Sequence, residues 1–240
     1  MLSSFVYRNL NPFLAKNLKF VVKRRSESLQ WQRKIILEKF PDLAIVDIGA
    51  NLGQFVREIR SYGFEGFIYS IEPHLESYSK LALLKSEDKK LRTYRLLILE
   101  RNGIHNLYGF LRSDLNSIYL PAEDDKFQVG EKVDEEMIES QTLDCFLGGE
   151  VRQRESFVKI DTQGSELKVL EGLKSEIPFV RVLQVETSLK SIYENPTTLK
   201  CTLEWILDNG FQTTSIVTER FDEVFGLAYD VDILAVNARS

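Results

Sequence analysis

Apolar and polar positions alternate along this chain in two distinct periods. From residue 28 to 40, SLQWQRKIILEKF spaces Leu29, Ile35, Ile36 and Phe40 roughly as a helix would, and Pro41 stops it. Ile45 begins a short apolar run, IVDI, that reads as a strand. Leu52, Phe55, Val56, Ile59 and Tyr62 then fall on one helical face, with Gly63 as a C-terminal stop. Residues 66–71 read as a second strand, and after Pro73 a further helix turns Leu75, Tyr78, Leu81 and Ala82 inward. Two successive strand-helix units predict an α/β domain.

Farther along, residues 92–99 predict a third strand, and Asn102-Gly103 carries the signal of a two-residue hairpin leading into NLYGFL, so an antiparallel ribbon is expected. The segment 122–139, AEDDKFQVGEKVDEEMIE, is rich in acids and has no long apolar face. It reads as solvated loop or edge strand, with a mobile cover over a site as the functional alternative. Residues 157–160 predict a strand, Leu167, Leu170 and Leu173 the inner face of the next helix, and residues 179–186 a strand ending on an acid. Leu199, Leu203, Ile206 and Leu207 line a last helix that stops at Asn209-Gly210. QTTSIV and DVDILAVN are expected to close the chain as an antiparallel pair.

The junction IVDIGANLGQF is where this pattern acquires chemistry. Strand, tight turn and helix meet there, and Gly49 and Gly53 allow a sharp turn and a close approach of backbone to ligand. Glu72 follows Gly49 by about two dozen positions, the separation at which nucleotide-binding units place an acid on ribose hydroxyls. The three-glycine dinucleotide fingerprint is missing, and Asp47 before the first glycine would repel a diphosphate. Asp47 with Glu72 suits a cationic ligand that carries a ribose, such as S-adenosylmethionine. The competing reading of DIGANLG is a plain connection in another α/β domain.

At 240 residues with 43% hydrophobic side chains, the chain fits one decorated domain with a sizeable core. Its net charge of −5 argues against a chain-wide nucleic-acid surface. Cys145 and Cys201 lack metal-ligand spacing and suit a reducing cytoplasm, so a cytoplasmic location is expected. No apolar run is long enough to span a membrane. Residues 1–25 mix apolar and basic positions without the core of a secretory signal, and are expected to form a helical extension, with an interfacial or acceptor-docking helix as the alternative. The expected division is therefore an extension over 1–40 and a catalytic domain over 41–240.

VDIGANLGQF, IEPHLESYSKL, QTLDCF, VKIDTQGSELKVLEGL and LQVETSL together resemble the FkbM-type family of class I methyltransferases, KIDTQGSE being the most distinctive segment. The resemblance implies a Rossmann-like, mostly parallel seven-stranded sheet with helices on both faces and an antiparallel C-terminal pair. It also implies S-adenosylmethionine as methyl donor and a hydroxyl of a sugar, glycan or natural product as acceptor. The cofactor-binding set it implies is Asp47, Gly49, Ala50, Asn51, Gly53, Gln54, Phe55, Glu72 and Pro73. The adenine contact stays open between Glu100, backbone groups and Ser117.

A sugar hydroxyl is a weak nucleophile, so a proton acceptor at a strand end is sought. Asp161 is the first candidate and Glu186 the second; His74 and His105 are the chain's two histidines. Asp161 could instead position the hydroxyl, cap the following helix, or join a metal site. No metal is expected, since no second acid follows in the turn before Glu166. The partner is a small-molecule or glycan acceptor, with no nucleic acid. A nicotinamide oxidoreductase and a non-catalytic cofactor-binding scaffold are the alternatives carried forward.

Overall fold

The computed structural model describes residues 28–123, 129–152, 154–189, 192–194, 198–218 and 228–238. The helical extension expected over 1–25 lies outside them. The chain divides between Phe40 and Pro41. Of the first part, the described helix is α1, Leu29–Lys39, whose N-cap Ser28 accepts from the Trp31 N–H at 3.2 Å.

Residues 41–240 are built on a seven-stranded sheet. Its strands are β1 (Ala44–Ile48), β2 (Ile68–Ile71), β3 (Leu91–Tyr94), β7 (Ser156–Ile160), β8 (Val180–Ser188), β9 (Phe211–Val217) and β10 (Asp230–Asn237), in the order β3-β2-β1-β7-β8-β10-β9. The pairs β1–β2, β2–β3, β1–β7 and β7–β8 are parallel, and β10 runs antiparallel to both β8 and β9. The order reverses between β1 and β7, which opens a crevice at the carboxyl ends of those strands.

β1, β2 and β7 are buried along their whole length, as strands of a parallel sheet covered on both faces must be. Side chains alternate between the faces. Val46, Ile48, Val158 and Ile160 join Val169 and Leu170 of α5 (Glu166–Glu171) and Ile206 of α6 (Leu199–Asp208) in one cluster. On the opposite face Phe157 meets Phe55 of α2 (Gln54–Ser61) edge-on, with ring centroids 6.2 Å apart. The mostly parallel, helix-covered sheet and its antiparallel end thus stand as expected.

Four local expectations fail. Residues 92–99 form two strands, β3 and β4 (Leu97–Leu99), which belong to different sheets. β4 pairs in parallel with β6 (Lys132–Thr142), and β6 pairs antiparallel with β5 (Gly103–Phe110). The Asn102-Gly103 signal therefore marks the start of β5, with no hairpin pairing β4 to β5. The acid-rich segment supplies the central strand of this second sheet from residue 132, while residues 124–128 lie outside the description. In α3 (Leu75–Leu83), Ser77 and Leu81 are buried and Leu75 is exposed.

The acids of β6 have a fastening role that explains their density. Asp134 meets the His74 ring nitrogen Nε2 at 3.1 Å, and Glu136 accepts from the Leu75 N–H at 2.9 Å at the N-terminus of α3. Arg95 also pairs with Glu136. Beneath them Leu97, Leu99, Leu107 and Ile138 pack as a small core. These contacts hold the second sheet beside the carboxyl ends of β1 and β2.

Candidate active site

Chain geometry shapes the crevice first. Gly49, Asn51 and Gly53 all have positive φ, at 81°, 45° and 80°. The N–H groups of Gly49 and Ala50 both donate to Ile71 O at 3.0 Å, which pins the turn to the end of β2. A Cβ on Gly49 would lie 1.7 Å from Asp161 O, so the turn passes against the backbone leaving β7. A Cβ on Gly53 would meet the Leu84 side chain at 2.5 Å. The glycines thus permit close chain-to-chain packing, and only Gly49 also lines the cleft.

The cleft, of ≈ 230 Å³, lies above these strand ends. Gly49, Asn51, Glu72, Pro73, Ser117, Asp161 and Glu186 all line it, so the structure brings together seven of the residues singled out in the sequence. Leu96, Leu97, Ile98, Leu107 and Ile118 give it an apolar wall on the side of the second sheet. Its remaining polar lining includes Ser113, Asn116, Gln163, Asp230 and Asp232.

The other five lie outside this lining. Ala50 is buried, Gln54 accepts from the Leu52 N–H at 3.1 Å, Phe55 packs on Phe157, and Gly53 faces α3 and Leu84. Asp47 is fully buried and its Oδ1 lies 3.5 Å from Lys159 Nζ. The cation that faces Asp47 is thus supplied by the protein itself. Glu100 pairs with Arg101 and Lys168 away from the cleft.

Glu72 is held from both sides. Its Oε2 accepts from the Asn51 N–H at 2.8 Å and its Oε1 from the His74 N–H at 2.9 Å. Burial pushes its proton affinity up strongly and those two bonds pull it down, leaving its pKa at about 7. Glu166 behaves alike: burial raises it to about 7 against the bond from the Gly164 N–H at 2.8 Å. The Gly164 N–H of the turn after β7 is thus taken by Glu166. Asp161 Oδ2 lies 3.0 Å from Lys159 Nζ, and Oδ1 accepts from Gln163 Nε2 at 3.3 Å.

A loop after β5 closes the cleft from above. Ser113 Oγ donates to Asn51 Oδ1 at 3.0 Å, over the glycine turn, and Ser117 Oγ donates to Gln163 O at 2.7 Å, over the end of β7. Asn116 accepts from the Phe110 N–H at 2.9 Å, which orients its amide, while Nδ2 is buried with no hydrogen-bond partner. Lys159, Ser113, Asn116 and Gln163 were not singled out in the sequence. For Lys159 a signal existed: a lysine amid VKI in a central parallel strand must have a buried anion beside it. Among the described residues no group of three or more His, Cys, Asp or Glu side chains could hold a metal ion.

Comparison with known proteins bears on what the cleft does. The model of the methyltransferase FkbM domain matches residues 47–213. Among solved structures, the methyltransferase FkbM of Methylobacillus flagellatus KT is similar with a TM-score of 0.54 and 16% identity, over 81% of this chain and 44% of that protein. This chain therefore spans less than half the length of that relative. The magnesium protoporphyrin IX methyltransferase of Synechocystis PCC 6803 with bound S-adenosyl-homocysteine is similar over 99% of this chain and 98% of that one, with a TM-score of 0.50 and 8% identity. At such identities these two likenesses concern the fold. No curated protein matches the chain. The family match sets the nicotinamide oxidoreductase reading aside: with more than half of its length under that model, the chain belongs to the FkbM methyltransferase family.

Proposed function

We infer that this S-adenosylmethionine-dependent methyltransferase acts on a hydroxyl oxygen of a sugar, glycan or natural product. The observation that carries the reading is Glu72, a buried carboxylate fixed by two backbone N–H groups and lining the cleft beside the glycine turn. The cofactor fits what is present. Glu72 retains lone pairs for a ribose diol, and the apolar wall from Leu96 to Ile98 suits a flat base. The acids at the ends of β7 and β8 suit a cationic donor. When bound, the cofactor supplies an activated methyl group.

The protein's part is alignment, exclusion of water and management of one proton. Asp161 and Glu186 are the carboxylates placed to receive the hydroxyl, one holding it and the other taking its proton. Glu72, Asn51 and Gly49 hold the donor, and the loop bearing Ser113 and Ser117 shields the cleft. Among the described residues no helix is long and apolar enough to cross a membrane, and Cys145 and Cys201 are free thiols, which supports a reducing cytoplasm as the site of action.

Calorimetry with S-adenosylmethionine and S-adenosylhomocysteine, followed by a methyl-transfer assay over sugars, glycans and hydroxylated natural products, tests the proposal. Binding of both sulfur ligands with transfer to oxygen is expected. Transfer to nitrogen or carbon only would overturn the acceptor class, and binding without any turnover would return the scaffold reading.

A further inference from the structure

Lys159 is the last residue but one of β7, between β1 and β8, where a doubly covered parallel sheet is ordinarily apolar. Its register partners are Asp47 on β1 and Gln184 on β8, and all three side chains are buried. The ammonium lies 3.5 Å from Asp47 Oδ1, 3.0 Å from Asp161 Oδ2 and 5.3 Å from the centre of the Phe55 ring. Glu186 on β8 adds to the negative field around it. The charges that face Lys159 are therefore Asp47 from β1, Asp161 from the end of β7 and Glu186 from β8, with the ring of Phe55 from α2. Lys159 and, from α5, Glu166 face Asp161.

We propose that Lys159 is a positioning residue of the methyl transfer, holding Asp161 ionised and turned to the cleft so that Asp161 orients the acceptor hydroxyl while Glu186 takes its proton. This rests on the reading of the site given above. Burial of an ammonium opposes its charge, but Asp161 and Asp47 together outweigh that opposition and keep Lys159 cationic. A carboxylate 3.0 Å from such a cation loses that attraction when it accepts a proton, which makes it a poor base and a good fixed acceptor. A quarter of the Asp161 side chain remains exposed and the residue lines the cleft, so the carboxylate, held by Lys159 at Oδ2 and by Gln163 at Oδ1, is fixed in place where substrate can reach it. Lys159 links this carboxylate to Asp47, two residues before the glycine turn, and so sets the distance between the donor and acceptor halves of the cleft.

The test begins on the parent chain without ligand, by following the Asp161 carboxyl carbon by NMR against pH. Asp161 is expected to stay ionised to the acid limit of the folded state; a midpoint at or above the ordinary aspartate value of about 3.9 overturns the proposal with no variant needed. Lys159→Met removes the cation 3.5 Å from the buried Asp47 carboxylate, so the double variant Asp47→Asn/Lys159→Met is measured as well. Its Asp161 is expected to titrate at least about one pH unit higher, and the acid limb of kcat should move with it, whereas Lys159→Arg should keep the parent profile. An unmoved Asp161 titration in a folded double variant, with only a lower melting temperature, would make Lys159 a structural residue and overturn the proposal. Failure of the parent to bind S-adenosylmethionine by calorimetry would sink the methyltransferase site instead, and the titration would still decide the role of Lys159.

Discussion

The backbone N–H of Asn51 donates to Glu72 Oε2 at 2.8 Å, so the glycine turn after β1 and the acid at the end of β2 form one rigid unit. Asn51 reaches that bond with a φ of 45°, a conformation side chains seldom adopt, and its own amide oxygen is held by Ser113. Conformational strain of this kind persists when surrounding structure over-determines it and concentrates at ligand sites. Here three separate segments determine it: the turn, the end of β2 and the loop after β5.

Glu72 should therefore be sensitive to a change as small as Glu72→Gln. The amide would turn a donor toward the Asn51 or His74 N–H and give up charge-assisted bonds to ribose. We expect S-adenosylmethionine affinity to fall by about 1.5–3 kcal/mol, roughly 10- to 150-fold, on calorimetry of folded protein. Unchanged affinity would remove the ribose from Glu72.

The pH dependence has a definite sign. Glu72 and Glu166 both bind protons more tightly folded, at about 7, than unfolded, at the ordinary glutamate value of 4.5. Between those values the folded state carries more protons, so the ligand-free protein should lose stability as pH rises from about 4.5 to 7 through these two groups. Donor affinity should run the other way, strengthening as Glu72 ionises. Melting curves at a series of pH values, with and without S-adenosylhomocysteine, check both slopes; parallel curves would show that Glu72 does not titrate against the ligand.

The two glycines of the turn should respond differently. Gly49→Ala places a methyl 1.7 Å from the Asp161 carbonyl oxygen, which is backbone and cannot move without opening the junction of β1 and β7. Gly53→Ala meets the end of the Leu84 side chain at 2.5 Å, which can rotate away, leaving mainly the cost of positive φ, about 1–2 kcal/mol. Urea denaturation should show Gly49→Ala as the more damaging by at least about 2 kcal/mol. Equal losses would mean that the turn relaxes around residue 49.

What the sequence revealed and concealed follows from burial. β1, β2 and β7 were legible because strands covered on both faces are apolar runs between turn residues, and Glu72 because its distance from the turn is set by the length of one helix and one strand. The boundary between β3 and β4 was hidden, since Tyr94, Leu96 and Leu97 continue the apolar run while the hydrogen-bonding partner changes from β2 to β6. β6 was hidden because its acids bond to His74, Leu75 and Arg95, contacts between segments far apart in the chain. Asp47 was read as free charge for a ligand for the same reason: its partner, Lys159, is 112 positions away.

Asn116 offers a test of the opposite wall of the cleft, where no acid was found for the base of the cofactor. Its Oδ1 is engaged by the Phe110 N–H at 2.9 Å, so the amide cannot turn over without losing that bond, and Nδ2 is left buried, lining the cleft, without an acceptor. A buried donor without a partner costs on the order of 1–3 kcal/mol, a cost that a ligand acceptor atom would relieve. Adenine ring nitrogens are such atoms, and Leu97, Ile98 and Ile118 form apolar surface in the same wall. Asn116→Asp keeps the acceptor for Phe110 and replaces the donor with an oxygen that repels a ring nitrogen. Affinity for S-adenosylmethionine should fall at least about tenfold, by 1.4 kcal/mol or more, on calorimetry of protein shown to be folded. A variant that binds the cofactor as the parent does would place the adenine elsewhere along the apolar wall and leave Asn116 to the acceptor or to water.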